Sequence, residues 1–210
     1  LTPVAARADC LRRAADLMED ALAELAGFCV KEAGKTLPDA LGEVREAIDF
    51  CRYYAVEAQA LLDAHGHALA PRGPILGISP WNFPVAIFTG QIAAALVTGN
   101  PVIAKPAEQT TLVALRVAEL FHQAGVPRDV LQLLCGPGEP VAARLLPDAR
   151  IAGVMFTGST EVARHLAAQL ATRGGARALL IAETGGQNAM VVDSTALPEQ
   201  VVDDVIASGF

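Results

Sequence analysis

The sequence predicts an α/β fold: a Rossmann-like, doubly wound parallel sheet preceded by a helical N-terminal region. Three observations lead there. From Pro71 onward, short apolar runs ("PILGIS", "PVIAK", "VLQLLC", "IAGVMFT", "ALLIAE") alternate with longer segments of helical periodicity. Runs without polar alternation are the mark of strands covered on both faces. Residues 3 to 65, in contrast, carry helical stripes throughout. Finally, hydrophobic residues make up 52% and aromatics only 5%, so the core is aliphatic and alanine-rich, which suits helices on a sheet better than an all-β sandwich.

The helical region comes first. Leu11, Ala15, Met18, Leu22 and Leu25 form one apolar stripe. Leu41, Val44, Ile48, Cys51, Ala55, Ala58 and Leu62 form another, at spacings of three and four. Both read as core-facing surfaces, with Cys10 and Cys51 as small hydrophobes on them. Gly34 suits a C-cap, and Pro38 the first turn of the next helix. Beyond Pro71 the expected helices run over 84–98, 110–124, 139–146 and 159–172. "NAMVVD" (188–193) reads as a further strand, and Pro198 opens a last helix.

The remaining composition narrows the function. A formal charge of −7 with a pI near 5.1 argues against a nucleic-acid footprint. The four cysteines are widely spaced, without a metal-ligand pattern, and read as reduced thiols of a cytoplasmic protein. The longest apolar stretch, Val85 to Val97, is too short to span a bilayer and is interrupted by Thr89, Gly90 and Gln91. Both ends are abrupt, and we expect a fragment of a longer chain.

In a doubly wound sheet, ligands bind beyond the carboxyl ends of the strands, so the polar groups there carry the functional reading. The first strand ends in Pro80-Trp81-Asn82-Phe83-Pro84. Two prolines stiffen the turn around Asn82, whose amide is either a held hydrogen-bond donor or an ordinary turn or N-cap group. The second ends in Lys105-Pro106-Ala107-Glu108, a lysine and carboxylate able to grip a vicinal diol, or else an exposed pair of little energetic worth. Gly136-Pro137-Gly138 follows the third, a close-approach loop without the GxGxxG fingerprint. The fourth ends in Phe156-Thr157-Gly158-Ser159-Thr160-Glu161, where free N–H groups of a helix start can meet a phosphate, a role compatible with a capping box. The fifth places Glu183 before Thr184-Gly185-Gly186. A partly buried carboxylate in that position can have its pKa raised into the general-base range.

Taken in order, PWNFP (80–84), KPAE (105–108), FTGST (156–160) and ETGG (183–186) resemble the NAD(P)-dependent aldehyde dehydrogenase superfamily. "EAIDFCRYYA" (46–55) and "AETGGQNAMVVD" (182–193) are similar to its glutamate-semialdehyde branch, the pyrroline-5-carboxylate dehydrogenases, some fused to a proline dehydrogenase. The resemblance implies NAD-dependent oxidation of L-glutamate γ-semialdehyde to L-glutamate in proline catabolism. It implies that Asn82 donates to the oxyanion formed at the aldehyde, a contribution of about 3–4 kcal/mol to the barrier, and that Glu183 activates the hydrolytic water. Lys105 and Glu108 would hold the adenosine ribose and Ser159 the pyrophosphate. Ser79, Pro80, Trp81, Ala107, Gly138, Phe156, Thr157, Gly158, Val162, Thr184 and Gly185 would complete the cofactor site. No metal is implied.

The same resemblance divides the chain into an NAD-binding domain over 1–184 (helical over 1–70, Rossmann-like over 71–184) and the start of a catalytic domain over 185–210. The family's nucleophilic cysteine would lie beyond Phe210, and none of Cys10, Cys29, Cys51 and Cys135 stands in its place. Ala163 replaces a glycine common in the family. Three readings stay open: the glutamate-semialdehyde enzyme, a dehydrogenase of another aldehyde, and a catalytically silent nucleotide-binding module. The resemblance further implies a homo-oligomeric full-length protein, fused in some relatives to a proline dehydrogenase domain.

Overall fold

Helix α1 (Val4–Asp20) and helix α2 (Leu22–Ala33) carry the first apolar stripe across their junction, with Leu11, Ala15, Met18 and Leu25 fully buried. Ala21 separates the two, yet its N–H still donates to Leu17 O and its carbonyl accepts from Leu25 N–H, so the chain bends without unwinding. The local sequence offers no glycine or proline to account for that bend. At the end of α2, Gly34 adopts φ +68°, a left-handed conformation open to it for lack of a Cβ. Thr36 then accepts from Asp39 N–H and starts helix α3 (Leu37–His65), with Pro38 in its first turn as expected. Val44, Ile48, Cys51, Ala55 and Ala58 are buried along α3, which confirms the second stripe. The structure, a computed structural model, describes residues 2–65, 69–173 and 178–209.

The five expected runs form one parallel sheet: β1 (Ile75–Ile78), β2 (Val102–Lys105), β3 (Leu131–Leu133), β4 (Gly153–Gly158) and β5 (Leu179–Thr184). Their spatial order is β3-β2-β1-β4-β5. Successive residues point to opposite faces, and each face has its own core. Ile75, Val102, Ala104 and Leu131 join helices α4 (Ala86–Val97) and α5 (Thr111–Gln123) and, behind them, α1 to α3. Leu76, Val154 and Phe156 join α6 (Gly138–Leu145) and α7 (Thr160–Thr172) on the other side. This is the doubly wound arrangement, with an extra helical layer over one face. Helix α4 lies between that layer and the sheet and is buried nearly all round, as its lack of a polar face requires.

Several expected boundaries move. The helix after PWNFP begins at Ala86, so Pro84 belongs to the preceding turn and Val85 takes the N-cap position. A 3₁₀ turn over Glu108–Thr110 precedes α5. "NAMVVD" is not a strand: past Thr184 no described residue makes a further sheet pairing and Val191 is 93% exposed, so hydrophobicity alone did not make it sheet. Pro198 does open helix α8 (Pro198–Gly209). Among the described residues, no helix is long and apolar enough to cross a membrane.

Candidate functional site

The chain leaves β1 toward β2 and β3 on one side, whereas β4 and β5 lie on the other. The strand order therefore reverses between β1 and β4, and the crevice at their carboxyl ends is the topological switch point. PWNFP follows β1 and TGST closes β4, so the two motifs flank this crevice. A separate cavity of about 410 Å³, lined by Pro71, Ile75, Thr98 and Leu179, lies at the opposite, amino ends of the strands.

Asn82 is exposed, and its side chain makes no hydrogen bond among the described residues. It does not cap α4. That cap is imported: Glu43, on α3, accepts from Val85 N–H at 2.7 Å and from Ala86 N–H at 3.3 Å through one carboxylate oxygen. The second oxygen lies 2.9 Å from Lys35 Nζ but outside directed hydrogen-bond geometry, an ion pair with the Glu43 side chain fully buried. The Lys35 ammonium also sits 4.2 Å from the centre of the Phe83 ring. Both groups escaped the sequence reading. The available signal was Glu43 itself, a carboxylate among Ala40, Val44 and Ala47 on the buried face of α3. Glu32 of α2 is likewise an imported cap, for α5, but through both oxygens: Oε1 accepts from Leu112 N–H at 3.0 Å and Oε2 from Val113 N–H at 2.8 Å.

Lys105 is not part of an exposed charge pair. It is 4% exposed, donates to Pro106 O at 2.8 Å and stands 3.9 Å from the half-exposed Glu108 carboxylate. Burial pushes its pKa below the ordinary lysine value, against the opposing pull of Glu108. Glu108 in turn accepts from Gly138 N–H at 2.7 Å, which ties the loop after β2 to the start of α6 beyond Gly136 and Pro137. Ala107 caps the 3₁₀ turn. Cys135 is exposed beyond β3.

Ser159 caps α7, accepting from Val162 N–H at 3.2 Å. The capping is one-sided: Glu161 falls one position short of the reciprocal partner of a capping box. The N–H groups of Thr160 and Glu161 find no partner among the described residues. Gly158 gives room to a neighbour, since a Cβ there would lie 2.6 Å from Phe156 Cζ. Ser79 and Thr110, close to the same strand ends, bury hydroxyls that have no hydrogen-bond partner among the described residues. Pro80 and Thr157 are half-buried, whereas Trp81 and Val162 are exposed. Ala163 is buried against the α7 face of the sheet.

Glu183 corrects an expectation. It pairs in register with Thr157, which brings it to the same end of the sheet, but it is exposed rather than partly buried. Strand β5 is an edge strand, and its four last residues, Ile181 to Thr184, are exposed. Gly185 is likewise exposed.

The fold and the crevice define a class: a doubly wound α/β protein with unpaired helix-start N–H groups, a buried lysine and two orphaned hydroxyls at its strand ends. The chain belongs to the aldehyde dehydrogenase family, whose model matches residues 1–210. It is 58% identical over 212 residues to the bifunctional protein PutA of Salmonella typhimurium, a match covering 100% of this chain and 16% of that protein. A crystal structure of a proline utilization A mutant from Bradyrhizobium japonicum superimposes with TM-score 0.94 at 50% identity, covering 100% of this chain and 22% of that one. The 1-pyrroline-5-carboxylate dehydrogenase from Thermus with bound NAD superimposes with TM-score 0.82 at 39% identity, over 88% of this chain and 39% of that one. The chain thus spans about one sixth of the PutA length and under half of the single-function enzyme.

Proposed function

We propose that this chain is the nucleotide-binding part of an NAD-dependent L-glutamate γ-semialdehyde dehydrogenase acting in proline catabolism. The observation that carries the reading is the placement of PWNFP and FTGST at the ends of the neighbouring strands β1 and β4, on the two sides of the switch point, in a chain 58% identical to a bifunctional PutA. Residues 1–184 would form the NAD-binding domain and 185–210 the start of the catalytic domain. The full-length protein would be a cytoplasmic homo-oligomer, fused to a proline dehydrogenase domain.

The residues at the strand ends suit a dinucleotide. The free N–H groups of Thr160 and Glu161 suit an anionic pyrophosphate, helped by the α7 dipole. Lys105 and Glu108 offer one donor and one acceptor for adjacent ribose hydroxyls, and the half-exposed Glu108 carboxylate would repel a 2′-phosphate. Buried hydroxyls at Ser79 and Thr110 lack partners that a polar ligand could provide. NAD, when bound, would supply the hydride acceptor for the aldehyde carbon. The chain's own groups supply an oxyanion donor and a base. Asn82, with no competing partner among the described residues, donates its side-chain N–H to the oxygen of the attacked aldehyde as negative charge develops there. Glu183 takes the proton of the water that releases the acid product. The nucleophilic cysteine would come from outside these residues.

The test is turnover by the full-length protein carrying this chain. It should form NADH from NAD and L-glutamate γ-semialdehyde, and Glu183→Gln should slow product release about 10²-fold or more, within the usual range for acid–base groups. No NADH formation with that aldehyde, alongside turnover of another, would reassign the substrate. Tight NAD binding without any oxidation would leave a silent nucleotide-binding module.

A further inference from the structure

We propose that Glu43 and Lys35 form a positioning pair that holds Asn82 at the oxyanion site; the inference rests on the role proposed above for Asn82. The turn bearing Asn82 is gripped on the side of α4 by one ion pair reaching in from the α2–α3 junction. Lys35 covers the ring of Phe83, the residue after Asn82. Glu43 holds the N–H groups of Val85 and Ala86, three and four residues after it. Asn82 itself is tied to nothing among the described residues. Its location is therefore set by its neighbours, and those neighbours are set by Glu43 and Lys35.

The chemistry is specific. Valine at the N-cap position cannot accept the first N–H groups of α4, so the helix start has no local cap. The acceptor comes instead from 42 residues earlier in the chain. A carboxylate buried this deeply is retained where its directed bonds fix a geometry that apolar packing would leave loose. Lys35 neutralises it and lies mostly buried itself, 13% exposed. Glu32 provides the comparison. It also caps a helix start from a distance, one oxygen to each of two N–H groups, but that helix, α5, follows the KPAE turn and not the Asn82 turn.

The experiment is a double-mutant cycle in the full-length enzyme, with kcat measured at saturating aldehyde and NAD, and KM for NAD beside it. Asn82→Ala should lower kcat about 10²–10³-fold, the usual loss for one oxyanion donor. Glu43→Gln keeps an acceptor for Val85 but turns an amide toward Lys35. It should lower kcat about tenfold or more, as displaced reacting groups do, with little change in KM for NAD. Added to Asn82→Ala, it should lower kcat no further, whereas Glu32→Gln should multiply with Asn82→Ala. Lys35→Met should repeat the pattern of Glu43→Gln if the latter fails to fold, and Lys35→Arg should restore most of kcat. Multiplicative losses from Glu43→Gln or Lys35→Met would overturn the inference while leaving Asn82 in its role. An undiminished kcat in Asn82→Ala would overturn the oxyanion assignment and the inference together.

Discussion

Gly158→Ala is a sharp test of how β4 meets α7. The backbone of Gly158 has no positive φ, so alanine suffers no conformational strain and should gain about 0.4–1 kcal/mol from a less free unfolded chain. The space decides against it. The added methyl would sit 2.6 Å from Phe156 Cζ and 3.1 Å from a second ring carbon, well inside contact distance. The ring is the far end of a side chain, but it is 5% exposed and packed with Leu76 and Val154, so it has nowhere to swing. Overpacking a closed site costs about 1–3 kcal/mol, which leaves a net loss of about 1–2 kcal/mol. Denaturant titration of the protein reads that loss directly. The cause is checked by Phe156→Leu, which shortens the offending ring. In that background Gly158→Ala should be neutral or slightly stabilising, a coupling of about 1–2 kcal/mol between the two sites. Gly158→Ala equally destabilising in both backgrounds would refute the steric account.

Further predictions concern the thiols, Lys105 and Glu108. Burial pushes the Cys29 and Cys51 thiols up to about 12, so at pH 8 a thiol reagent should label exposed Cys135 first and reach Cys29 and Cys51 only on unfolding. Because burial lowers the Lys105 pKa below 10.5, the folded protein gives up this proton at a lower pH than the unfolded chain does. Stability contributed by this group therefore rises with pH through the window just below 10.5, and Lys105→Met should remove that rise in a pH series of denaturation curves. Glu108→Ala removes the carboxylate that would face a 2′-phosphate and frees Gly138 N–H. It should raise KM for NAD and improve the use of NADP relative to NAD, measured with both cofactors.

Much of this site was legible because its residues are local to strand ends. A proline-flanked asparagine, a lysine three residues ahead of a carboxylate and a serine before a helix all announce themselves in short windows, and the sheet brings those windows together. What escaped was long-range. Glu43 and Glu32 look like ordinary helix carboxylates until the fold sets them against helix starts 42 and 80 residues away. The helix start at Ala86 was misjudged for the same reason, since a local reading gave Pro84 the first turn without knowing of an imported cap. Glu183 was located correctly at its strand end, but its burial depends on what covers an edge strand, which no short window encodes. "NAMVVD" failed because apolar residues make a strand only where they pair with another strand, and residues 188–193 pair with none among the described residues.

The proposed function requires the carboxyl ends of this sheet to hold a dinucleotide, and calorimetric titration of NAD tests that requirement directly. The protein carrying this chain should bind NAD at one site per chain, and Lys105→Met should weaken that binding about tenfold or more, the loss of a charge-assisted hydrogen bond to the ribose. An absence of binding, or an affinity untouched by Lys105→Met, would contradict it.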